Sequence, residues 1–266
     1  MRIPAKKSLG QNFLTDPNYV RKIVEAARIG PDDQVIEIGP GKGHLTRQLV
    51  SQAGRLLVIE LDERLLPYLR DEFSSASNIE IVQGDALQFD YGALTGSWKV
   101  VANLPYYIST PIIQRLIGHR DRFTTLMLML QKEVAERVAS APGGKEYGYL
   151  SVLVQYAARV RIEFVVPAGA FTPRPKVDSA VVGLALRDRS EQTVSDEKLF
   201  LRILQAAFSQ RRKTLRNALR QLGYGSDVLD QAHPLSGIDL GRRAETLSVV
   251  EFCGLTEFFA SRKLAE

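Results

Sequence analysis

The chain has 266 residues, 45% of them hydrophobic and 24% charged, with 35 Lys and Arg against 30 Asp and Glu and a formal net charge of +5. That composition excludes a disordered or fibrous chain, and the length holds either one large domain or an ordinary domain with a small appendage. A single cysteine, Cys253 inside the apolar "VVEFCGL", excludes an internal disulfide and fits a reducing cytosol.

The N-terminal "MRIPAKKSLGQNFL" carries no continuous apolar core of a signal sequence, and no later window reaches the roughly 18 apolar residues of a membrane span. The expectation is therefore a cytoplasmic protein with no membrane partner. In "DPNYVRKIVEAARI", Asp16 stands as N-cap and Pro17 at the first helical position, and Val20, Ile23, Val24 and Ala27 recur on one helical face. Short apolar runs follow at 34–39, 55–61, 78–84, 98–104 and 124–130, separated by helical patterns such as "LTRQLVSQA" and "ERLLPYLRDEF". Strands alternating with helices predict an α/β protein with a mostly parallel, doubly wound sheet. Beyond residue 130 come two helical patterns around "APGGKEYG", then two more strand candidates, "RVRIEFVV" and "SAVVGLAL". The polar "RDRSEQTVSDEK" marks a boundary, so residues 1–188 are read as the sheet domain with its N-terminal arm and 189–266 as a small helical domain. Within the latter, 197–223 reads as one long helix.

The first strand ends in "EIGPGKGHL", where Gly39, Gly41 and Gly43 lead into a helix. Such glycines allow close backbone approach to a ligand and a tight turn, though a purely structural turn reads the same way. The G-x-G-x-G spacing departs from the dinucleotide fingerprint, which weakens a pyrophosphate site. Glu60, at the end of the second strand and about 20 residues past Gly39, stands where a carboxylate accepts from a ribose diol. Asp85 in "QGDALQF" ends the third strand and can either accept from an adenine amine, with the Ala86 backbone donating to the ring, or cap its own loop. Three such features at the carboxyl ends of consecutive strands point to a ribose-bearing cofactor. His44, His119 and His233 lie far apart with no second ligand at helical or hairpin spacing, so no metal site is expected.

The fourth strand runs through "VVA" and ends in "NLPYYIST", a polar amide, a proline and two tyrosines, which alone reads as a strand exit into a turn. "NLPY" together with "EIGPGKG", "LGQNFL", "FTPRPKVDSAV" and "FSQRRKTLRNAL" resembles the KsgA family over essentially the whole chain. The resemblance implies a class I methyltransferase with a Rossmann-like, seven-stranded, mostly parallel sheet and a small C-terminal all-helical domain. It implies an S-adenosyl-L-methionine-dependent rRNA adenine dimethyltransferase that modifies two adjacent adenines in the 3′-terminal hairpin of small-subunit rRNA, with a role in ribosome biogenesis. The small ribosomal subunit or its precursor is then the partner, and a monomer the default state. Carried over by position, Asn12 and Leu14 close over the cofactor, Gly39 and Gly41 line its methionine part, Glu60 holds the ribose, and Asp85 with Ala86 hold the adenine. Asn103 lies between cofactor and substrate.

On this reading the Asn103 side-chain oxygen and a backbone carbonyl of Leu104 accept the two hydrogens of an adenine amine, aiming the nitrogen lone pair at the methyl group. Pro105 stiffens the turn, Tyr106 stacks on the base, and Phe171 covers the other face. Tyr107 is assigned to packing, because two adjacent side chains do not readily face one pocket. In "FSQRRKTLRNALRQL", Arg211, Arg212, Lys213, Arg216 and Arg220 meet no acidic residue within the stretch, so a cationic face for RNA phosphates is expected. Three rivals stand beside this reading: an Erm-type large-subunit rRNA methyltransferase, a non-catalytic assembly factor on the same fold, and a nicotinamide dehydrogenase resting only on the glycine turn.

Overall fold

The protein is described by a computed structural model that covers residues 3–188, 194–210 and 212–262. From the N-terminus the elements are β1 (Phe13–Leu14), α1 (Pro17–Ala27), β2 (Gln34–Ile38), α2 (Thr46–Val50), β3 (Arg55–Glu60), α3 (Leu66–Glu72), β4 (Ile79–Gln83), β5 (Trp98–Asn103) and α4 (Ser109–Gly118). They continue with β6 (Phe123–Gln131), α5 (Lys132–Ala139), α6 (Tyr149–Ala157), β7 (Ala158–Val166), β8 (Phe171–Thr172) and β9 (Ser179–Leu186). The last described helices are α7 (Glu197–Ser209), α8 (Leu215–Arg220), α9 (Ser226–Ser236) and α10 (Val249–Ala260). Among the described residues no helix is long and apolar enough to cross a membrane.

The chain divides into two compact units, 1–135 with 158–186 and 136–157 with 187–266. The first holds a seven-stranded sheet in the order β4-β3-β2-β5-β6-β9-β7, in which only β9 runs against its neighbours. Each strand run predicted from the sequence is a strand of this sheet. The parallel strands are apolar almost throughout because both sheet faces are covered. α1 begins as its sequence dictates, with the Asp16 side chain accepting from the Asn18 amide and Pro17 in the first turn. Its Val20, Ile23, Val24 and Ala27 pack with Val35, Leu49, Val58 and Val101 on one side of the sheet. β1 and β8 form a separate two-stranded antiparallel ribbon, Phe13 opposite Thr172 and Leu14 opposite Phe171.

The second unit is helical and has its own core of Tyr156, Phe200, Leu204, Leu219, Tyr224, Phe252 and Phe259 among others. Its makeup corrects the expected domain limits: 136–157 belongs here, because Tyr147, Val152 and Tyr156 pack in this core. The long helix expected over 197–223 is broken too. α7 stops at Ser209, Gln210 is extended (φ −138, ψ 93), and α8 restarts at Leu215. The restart is fixed from outside the helix, since the Leu215 and Arg216 amides donate to the carbonyls of Arg242 and Leu240.

Candidate active site

The carboxyl ends of β2, β3, β4 and β5 and the loops after them line a cleft. After β2, Gly39, Gly41 and Gly43 all have positive φ (68°, 59° and 74°), which an L side chain adopts only with strain. A Cβ on Gly39 would meet nothing within 4 Å, so this glycine leaves open cleft where any other residue would put a side chain. After β3, Glu60 is buried, and its two oxygens accept from the amides of Gly41 (3.2 Å) and Asp62 (2.7 Å). Glu60 lines the cleft, and burial pushes its carboxyl above its ordinary range.

After β4, Asp85 uses one oxygen to cap its own loop, accepting from the Leu87 amide at 2.9 Å. The alternative role read from the sequence is thus realised by one carboxylate oxygen, which leaves the other for a ligand. Ala86 lines the cleft, and its carbonyl is held by the buried Tyr91 hydroxyl, which donates to it at 3.0 Å. After β5, Asn103 Nδ2 donates to the Asn12 carbonyl at 3.1 Å. A carbonyl accepts only from the NH₂ end of the amide, so this bond fixes the flip and leaves Oδ1 as a free acceptor. Among the described residues no backbone donor reaches the Leu104 carbonyl, whereas the Pro105 carbonyl accepts from the Ile108 amide.

Residues 10–13 run across this cleft and between them touch the loops after β2 and β3 and the segment at the end of β5. Gly10 lies against the Tyr107 ring, 3.0 Å separating Cδ1 from the position of a Cβ on Gly10. Gln11 Nε2 donates to Asp62 at 2.9 Å, and Asn12 takes the Asn103 amide. Phe13 lies over Gly41, where a Cβ would come within 2.7 Å of the ring. Asp62 is itself clamped by Arg64, whose Nε and Nη2 donate to its two oxygens at 2.8 and 2.6 Å. That guanidinium holds the Asp62 carboxyl down at about 2.

Two expected site residues lie elsewhere. Leu14 and Phe171 face each other in the β1–β8 ribbon and are buried in the sheet core with Val20, Ile23 and Met129, so neither side chain lines the cleft. The period-two alternation of a strand explains it: with Phe13 turned to the glycine loop, Leu14 must turn to the core. Tyr106 does line the cleft, its hydroxyl hydrogen-bonded to that of the buried Ser179 at 2.7 Å. Tyr107, expected to pack, is instead 56% exposed at the mouth of the same cleft. Of the cationic stretch, Arg212, Lys213 and Arg220 are exposed and Arg211 lies outside the described residues. Arg216 meets an acid after all, its guanidinium 2.7 Å from Asp230 of α9. Among the described residues no group of three or more His, Cys, Asp or Glu could hold a metal ion.

The sequence model of ribosomal RNA adenine dimethylases matches residues 3–261. The chain belongs to the ribosomal RNA adenine dimethylase family. It is 47% identical to the ribosomal RNA small subunit methyltransferase A of Moorella thermoacetica, over 94% of this chain and 91% of that protein. To the protein of the same name from Geobacter metallireducens it is 46% identical, over 96% and 95%. Among solved structures it is similar to a dimethyladenosine transferase from Plasmodium falciparum (TM-score 0.79, 30% identity, 91% of this chain and 95% of that one). It is also similar to the 23S rRNA methyltransferase ErmE (TM-score 0.72, 25% identity, 94% and 100%). The fold of this dimethylase is accordingly the class I methyltransferase fold, with the expected strand arrangement. What residue-by-residue reading of the dimethylase missed are the supports. Gln11 stood inside a quoted motif, but its partner Asp62, and Ser179 behind Tyr106, are reached only through long-range contacts.

Proposed function

We propose that this dimethylase transfers methyl groups from S-adenosyl-L-methionine to the exocyclic amines of two adjacent adenines in the 3′-terminal hairpin of small-subunit rRNA. The observation that carries the reading is the cleft-lining Asn103 amide, pinned by the Asn12 carbonyl so that its oxygen is left as an acceptor. The residues present fit the cofactor: open space at Gly39, a buried carboxylate at Glu60 and a spare carboxylate oxygen at Asp85. Bound there, the cofactor supplies an electrophilic methyl on a sulfonium. Gly39 and Gly41 would admit its amino-acid part, Glu60 would accept from the ribose, and Asp85 with the Ala86 amide would take the adenine.

For the substrate amine the chain offers two acceptors, Asn103 Oδ1 and the Leu104 carbonyl kept in place by Pro105. An aromatic amine delocalises its lone pair into the ring, and two aimed acceptors for its hydrogens favour the pyramidal form that can attack. Such preorganised dipoles act through position and need no strong base. Tyr106, anchored by Ser179, is the platform for a base drawn out of its stack. Leu14 and Phe171 act behind this site, as the core under the ribbon. The exposed Arg212, Lys213 and Arg220 of the helical unit are assigned to RNA phosphates, and Arg216 to holding α8 against α9.

The small-subunit reading is favoured over the Erm-type one by relatives at 46–47% identity against 25% for ErmE. Labelled methyl transfer to unmethylated small and large subunits, followed by mapping of the modified bases, tests it. Two dimethylated adenines in the small-subunit hairpin are expected; label only in the large subunit would overturn the assignment.

A further inference from the structure

Residues 106–108 form a single 3₁₀ turn after Pro105. With three residues per turn, neighbouring side chains point about 120° apart, so Tyr106 and Tyr107 cannot serve the same base. Tyr106 is half-buried and tied to Ser179, whereas Tyr107 is 56% exposed and, among the described residues, has no hydrogen-bond partner. Both line the cleft, Tyr107 at its mouth with one edge against Gly10. Gly10 has φ +58 and no side chain, so the ring is backed on that edge while much of its surface stays in water. A large aromatic side chain at the mouth of a site offers a flat face to any base that reaches it.

We propose that Tyr107 is a second base platform, a subsite at the cleft mouth that stacks on the adenine next to the one being methylated. The inference rests on the proposed function, in which two adjacent adenines are modified in turn. When one adenine is drawn into the cleft, the next nucleotide loses a stacking neighbour, and an aromatic ring at the mouth replaces it. Whichever adenine reacts first, the other then occupies the mouth, so the subsite meets an unmodified adenine in one round and a dimethylated one in the next. A dimethylated amine has no hydrogen left to donate, and a polar reader of that edge would reject it. A ring face tolerates both, because stacking does not depend on the amine.

The test uses the full-length enzyme, unmethylated small subunits and S-adenosylmethionine, comparing wild type with Tyr107→Ala and Tyr107→Phe. Base–aromatic stacking of ordinary strength predicts that Tyr107→Ala raises KM for the subunit roughly tenfold. It should also accumulate particles carrying one dimethylated adenine, seen by mass spectrometry of the hairpin at equal total methyl incorporation. Tyr107→Phe should keep the wild-type pattern, and the calorimetric Kd for cofactor should stay unchanged in both variants. If Tyr107→Ala weakens only cofactor binding and leaves the one-to-two partition alone, the ring merely props Gly10 and the subsite is overturned. An unaltered KM and partition overturn it as well. Wild-type enzyme that leaves small subunits unmethylated would instead overturn the proposed function, and the subsite with it.

Discussion

At the scale of single residues, the site depends on one amide whose direction is set by one backbone carbonyl. Asn103 closes β5, and its Nδ2 bond to Asn12 O leaves Oδ1 as a free acceptor, which the proposed function assigns to the substrate amine. Removing one preorganised polar group of this kind costs about 10²–10³ in turnover. Asn103→Ala should therefore lose methyl transfer by about that factor while RNA affinity, measured by filter binding, stays within twofold or so, since no phosphate-binding side chain is touched. Activity within about tenfold of wild type would mean that Asn103 is not the acceptor for the substrate amine. Asn103, Glu60, Asp85 and the glycines were legible in the sequence because each ends a strand at the ligand-binding edge of the sheet. Leu14 and Phe171 were not, because a one-residue step along a two-residue strand reverses the face, and no periodicity can be read from so short an element.

At the scale of elements, long-range pairing brings together what the sequence keeps apart. The "GQNFL" and "FTPRP" motifs meet as the β1–β8 ribbon, with the Thr15 and Asp16 amides also donating to the Ala170 carbonyl. The strands were legible from their apolar runs, but the break between α7 and α8 was not. Leu215, Leu219 and Leu222 continue a helical period, and only the Arg242 and Leu240 carbonyls start a new helix there. The break sets Arg212 and Lys213 in a short exposed connection rather than on a helix face. The ion pair with Asp230 engages Arg216 within the helical unit instead. Every phosphate that the protein no longer neutralises should reduce the slope of log K against log salt by about 0.7–0.9. Replacing both Arg212 and Lys213 by alanine should thus flatten the slope for subunit binding by roughly 1.5, with cofactor affinity unchanged. An unchanged slope would place the RNA elsewhere.

At the scale of the whole molecule, one buried acid makes the sheet unit less stable as pH rises. Glu37 lies mid-strand in β2, between Val58 and Val101 of the neighbouring strands, and is 1% exposed. Among the described residues neither of its oxygens finds a hydrogen-bond partner of good geometry. Burial pushes its carboxyl up from 4.5 to about 8, the nearby Thr46 on α2 offsetting only part of that push and Glu60 adding to it. A group whose folded pKa is raised holds its proton in the folded state after the unfolded chain has lost it. Its contribution is therefore complete below about pH 4.5 and declines as pH rises toward 8. At pH 7 the decline amounts to on the order of 3 kcal/mol. Glu37→Gln removes the titrating group at nearly equal volume, so it should match wild type near pH 4.5 and exceed it by roughly 10–15 °C in Tm near pH 8. Trp98, the chain's single tryptophan, is buried at the start of β5 beside β2, so its fluorescence follows unfolding of the sheet unit apart from the helical one. Melting curves that run parallel for the two proteins from pH 5 to 8 would mean that Glu37 is already ionised in the fold, held by a partner that geometry does not supply.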